Sequence, residues 1–127
     1  MTRQSKSDPT FEISFFESVH RRCPRYTDVI GLLGGLYTKT GRIADGLKMD
    51  RKMVRLQPES DLAHYNLACS LALSNRAGDA LTTLRKALEL GYDDHRWMQQ
   101  DPDLEILRDL PEFKKILEQV RRGHAQS

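Results

Sequence analysis

His20 and Cys23 stand three residues apart, one helical turn, so both could reach a single metal ion. A zinc site needs three or four such ligands, and His64, His95 and His124 share no spacing with this pair. A solvated histidine beside a structural cysteine is therefore the expectation, with no metal, no cofactor and no catalytic residue. Gly31, Gly34 and Gly35 form a dense glycine group. Glycines that cradle a phosphate lie between a strand and a helix, whereas these fall inside a helical pattern. There they imply close approach by a neighbouring backbone or by a ligand. The basic pairs Arg21-Arg22 and Arg121-Arg122 are short and lie at helix ends, where positive charge complements the dipole. Trp97, next to Arg96, is either an exposed anchor or a plug between the second half of the chain and its tail. Nothing in these groups argues for an enzyme.

Any such side chains must be carried by helices. Apolar residues recur at helical spacing in 26–39 (Val29, Ile30, Leu33, Tyr37) and again in 43–56 (Leu47, Met53, Val54). Gly41 separates the two segments and Pro58 ends the second. Ser60 or Asp61 can cap the next helix, which runs to about Ser74, and Asn75 takes the place of Gly41. A fourth helix follows from Ala77 to Leu90, stopped by Gly91. Before these, 11–22 forms a helix with Phe15, Phe16 and Val19 on one stripe. After them come a short helix over 93–100, a restart at Asp101-Pro102, and a last helix opened by Pro111 that buries Phe113, Ile116, Leu117 and Val120. The expected class is all-α.

The 127 residues are 39% hydrophobic and 30% charged, the balance of a globular chain, and the formal net charge is only +2. That excess gives no reason to expect nucleic acid or a membrane surface as partner. No apolar run has the length of a membrane span, and 11–16 is broken by Glu12 and Ser14, too short for a signal-peptide core. The cytoplasm is the expected compartment, with Cys23 and Cys69 as free thiols.

The helices repeat. Pro24 and Pro58 are 34 residues apart, and the same step relates Leu33 to Leu67, Gly34 to Ala68, Gly46 to Ala80 and Leu56 to Leu90. The first unit reads Ile30-x-x-Leu33-Gly34-x-x-Tyr37, then Gly46, Met53 and Pro58; the second reads His64-x-x-Leu67-Ala68-x-x-Leu71, then Ala80-x-x-x-Leu84-x-x-Ala87. These units resemble the tetratricopeptide repeat. The resemblance implies helical hairpins stacked as a short right-handed superhelix. In that reading 1–8 is a disordered tail and 9–122 one domain: a capping helix at 9–24, repeats at 25–58 and 59–92, and degenerate caps at 93–122; 123–127 is a second disordered tail. Ile30 and His64 stand in the family's Trp position. Asp50 stands in a bulky apolar one, with two outcomes open: the helix rolls and Met49 fills the gap, which is the simpler, or Asp50 is buried against a donor.

Members of the family usually bind a partner protein or peptide on a concave face built from the first helix of each hairpin. At 100° per residue that face carries Asp28, Gly31, Gly35 and Lys39 from the first repeat, and Tyr65, Asn66, Cys69 and Leu73 from the second. An extended or apolar segment would suit it better than a charged motif. The competing expectation is that the tail folds back over this face. A known subgroup grips a carboxylate with Lys, Asn and Arg; here Gly31 and Gly35 take its first-repeat Lys and Asn slots, and Asn66 matches an Asn slot. Arg96 and Gln100 would fall in the last Lys and Arg slots if the register held into the tail, too few matches for a clamp. The function expected is a scaffold, adaptor or co-chaperone-like module. The alternative is a self-associating structural protein, including a homodimer, or a regulatory subunit of an enzyme.

Overall fold

The computed structural model describes residues 9–126, with side chains through 123; the tail expected at 1–8 lies outside them. Seven α-helices and one 3₁₀ helix account for nearly all of the described residues, and no strand occurs among them. The helices are α1 (Pro9–Arg22), α2 (Thr27–Lys39), α3 (Ile43–Leu56), α4 (Asp61–Leu73), α5 (Ala77–Glu89), α6 (His95–Gln100) and α7 (Pro111–Gln126), with the 3₁₀ helix Pro102–Leu107 between the last two. The last helix continues past Gly123, where the sequence had placed the start of a frayed tail. None of these helices is long and apolar enough to cross a membrane.

Packing follows chain order. α2 lies on α3, α4 on α5, α3 on α4, and α1 on α2. Each hairpin turns through a three-residue connection, short enough to return the chain alongside itself. The helix stops explain how. At the end of α2, Gly41 donates to the Thr38 carbonyl at 3.1 Å and Arg42 to that of Tyr37 at 2.7 Å. The same two bonds recur at Asn75 and Arg76 after α4, and at Gly91 and Tyr92 after α5. This is the Schellman arrangement, which needs a positive φ at its pivot. Gly41, Asn75 and Gly91 have φ of 85°, 61° and 113°. The helix starts are equally local: Ser60 Oγ accepts from Ala63 N, and Asp94 caps α6 through Trp97 N.

Two buried clusters result. The larger runs from α4 and α5 through Met98, Leu104 and Leu107 to Phe113, Ile116 and Val120 of α7. The smaller joins Ile13 to Val29, Leu33 and Tyr37, with Phe16 and Val19 at its margin. The stripe of α1 is therefore rotated from the sequence reading: Ile13 is buried and Phe15 points outward. Tyr37 also holds α1 through its hydroxyl, which donates to the Glu17 carboxylate. Close approach of α2 and α3 explains Gly46, because a Cβ there would lie 2.5 Å from Thr38 Oγ1. Ala68 and Ala80 are fully enclosed, as expected where helices come closest.

Candidate functional site

The first helices of the two hairpins do not close against each other along their whole length. Between them lies a groove of about 460 Å³. α2 lines it with Gly31, Gly34, Gly35, Thr38 and Lys39, and α4 with Tyr65, Asn66, Cys69 and Ser70. α3 adds Asp50 and Met53, and the tail adds Trp97, Asp101 and Asp103. The glycines keep it open in different ways. A Cβ on Gly35 would meet nothing within 4 Å, so that position opens on free space. A Cβ on Gly31 would rest against Met53 Cε at 3.4 Å, and one on Gly34 would press on Asp50 Oδ1 at 3.2 Å.

Of the residues the sequence assigned to the concave face, Gly31, Gly35, Lys39, Tyr65, Asn66 and Cys69 come together here. Asp28 and Leu73 lie outside the groove's lining. Asn66 is exposed within the groove.

Tyr65 and Cys69 are held differently from the rest. Each is more than nine-tenths buried, because the 3₁₀ helix packs on α4. The Tyr65 hydroxyl donates to Asp101 Oδ2 at 2.6 Å, and the Cys69 thiol donates to the same oxygen at 3.6 Å. The other oxygen, Oδ1, accepts from Asp103 N at 3.0 Å and so starts the 3₁₀ helix, with Pro102 as its first residue. Tyr65 also stacks on Tyr92, with centroids 4.2 Å apart. Arg108 fixes the bend from the other side, donating to the carbonyls of Met98 and Asp101. The tail thus covers one end of the concave face and leaves the remainder as the groove. Burial raises the Cys69 thiol, and the Asp101 and Asp103 carboxylates raise it further, which favours the thiol over the thiolate. The ligand atoms of Cys69, Asp101 and Asp103 lie within 4.8 Å of one another. Both Asp101 oxygens and the thiol proton are already engaged, however, which makes the trio a helix cap before anything else.

Asp50 follows the second of the two outcomes left open by the sequence. It is largely enclosed between the hairpins, and the Ser70 hydroxyl donates to its Oδ2. Met49 packs at the margin of the smaller cluster rather than replacing it. Burial pushes the Asp50 carboxyl up to about 6, and the Ser70 bond offsets only part of that rise. Asp103 is also raised, by burial and then by the neighbouring Asp101. Trp97 is not a plug: it is 44% exposed and lines the groove, while Met98 beside it is fully buried. His20 is partly buried against α3, with Lys52 Nζ 3.3 Å from its Nε2; burial and that ammonium both lower its pKa. An ammonium there opposes a cation shared with Cys23.

No family model matches the chain. Among curated proteins it is 33% identical over 86 residues to a chloroplastic protein of Arabidopsis thaliana. The matched region takes in 65% of this chain and 26% of that protein, so the chain corresponds to about a quarter of the relative's length. The likeness is distant, and it accompanies an all-helical fold of packed neighbouring helix pairs.

Proposed function

We propose that this chain is a tetratricopeptide-type interaction module that holds an extended segment of a partner protein in the groove between α2 and α4. The observation that carries the proposal is the glycine-lined opening at Gly31 and Gly35, which stays free after the tail has packed on Tyr65 and Cys69. A groove with apolar walls and a few polar groups is the usual form of a peptide site. The 34-residue repetition, the repeated Schellman stops and the helix pairing support the family reading. In this reading the module acts by binding, and its buried thiol and tyrosine hydroxyl are both committed to Asp101. The proposed setting is the cytoplasm.

The experiment is to place a bulky ring in the opening. Gly35→Trp should abolish peptide binding measured by fluorescence anisotropy and leave the far-ultraviolet helical spectrum unchanged. Binding that survives would remove the groove from consideration.

A second reading rests on α1. Phe11 and Phe15 stand one turn apart and are 70% and 54% exposed. An end helix with such a face could pair with another molecule of the chain.

A further inference from the structure

The groove is less neutral than its glycines and Met53 suggest. Three carboxylates line it, those of Asp50, Asp101 and Asp103, against the single ammonium of Lys39. Their states differ. Asp101 is fully occupied as a cap. Asp50 has one oxygen on Ser70, and its Oδ1 lies toward Gly34 in the wall of the groove. A carboxylate oxygen in the wall of a groove can accept from an incoming donor. Asp103 lies beside Asp101 with like charge. Lys39 is exposed at the end of α2, where its flexible stem keeps the ammonium in solvent.

We propose, resting on the groove reading above, that the segment it accepts carries a lysine or arginine side chain whose cation is received by Asp50 and Asp103. The methylene stem of such a side chain suits the apolar part of the groove, and the exposed ring of Trp97 offers both apolar surface and a face that attracts cations. The first-repeat Lys slot of the carboxylate-gripping subgroup is empty of charge here, because Gly31 and Gly35 take its Lys and Asn positions, while acids line the groove. A divalent cation is the weaker occupant, because two of the three grouped ligands, Cys69 and Asp101, are already hydrogen-bonded to each other and Asp101 also to Tyr65.

The test is selection of a phage-displayed random peptide library on the full chain with EDTA present. Enriched peptides should share a Lys or Arg at one position. Replacing that residue by norleucine should weaken binding about tenfold or more. Asp50→Asn and Asp103→Asn together should weaken the basic peptide to a similar degree and bind the norleucine peptide no worse than the parent does. Both substitutions keep side-chain shape, and an unchanged helical spectrum checks the fold. Enrichment of uncharged or acidic residues at that position, with binding still abolished by Gly35→Trp, would overturn the cation preference and leave the groove standing. Binders indifferent to Gly35→Trp, or failure to enrich any peptide, would count against both. Binding that appears only when EDTA is replaced by a divalent metal would overturn the peptide cation in favour of a metal.

Discussion

Asp50 is the residue at which sequence and structure diverge most usefully. Its position in the repeat calls for an apolar side chain, and the simpler expectation turned it aside. The structure keeps it inside, with Ser70 of the next hairpin as donor. The consequence for stability has a definite sign. A carboxyl raised from 3.8 to about 6 binds its proton more tightly in the folded state than in the unfolded one. Its stabilising contribution is complete below the unfolded value and is lost as pH rises through about 6. At neutral pH the ionised group costs on the order of 3 kcal/mol relative to an unperturbed one. Asp50→Asn should therefore be more stable than the parent at pH 7, and the advantage should fade as pH is lowered to about 4. Urea denaturation at the two pH values checks this; parallel pH dependence in both proteins would mean that Asp50 is solvated. Tyr65 and Cys69 carry a related lesson. Helical periodicity placed them on the face away from the hairpin partner, and they are, but it could not show that Asp101, over thirty residues later, would claim both.

At the scale of elements, most of the fold was legible because its instructions are local. Prolines, caps and left-handed stops each act within a few residues, and the 34-residue step set two of the stops, Gly41 and Asn75, in register. Their bonds are the same, although one pivot is glycine and the other is not. Asn75 holds φ of 61° at some cost that glycine would avoid. Asn75→Gly should be neutral or stabilising, whereas Asn75→Ala should lose about 1 kcal/mol in thermal or chemical denaturation. Equal stability of the two variants would contradict the Schellman assignment at α4. What was not legible is how elements rotate and where the tail lands. The stripe of α1 shifted from Phe15 to Ile13 because several apolar residues offered competing faces. Which of the anchor and plug readings holds for Trp97 was open for the same reason: adjacent residues on a six-residue helix differ by a rotation that no periodicity fixes, and here Met98 is the buried one. The groove was found from its glycines, while its acids came from α3 and the tail, which a repeat-by-repeat reading treats as background.

At the scale of the whole molecule, the two proposed partner surfaces are the groove and the outer face of α1. They can be separated. If Phe11 and Phe15 mediate self-association, Phe11→Ser with Phe15→Ser should convert a dimer to a monomer in sedimentation velocity without altering peptide binding. A parent chain that is monomeric throughout would dismiss that face as a self-association surface. The groove makes the stronger case, because packing on both sides leaves it open and its glycines have no internal task at Gly35. The most direct measurement is amide chemical-shift mapping of the full chain with a peptide selected on it. The shifts should cluster at Gly31, Gly35, Asn66 and the Trp97 indole, and should vanish in Gly35→Trp. Shifts confined to residues 113–122 of α7, with the groove silent, would contradict the groove as the binding surface and place the interaction on the tail.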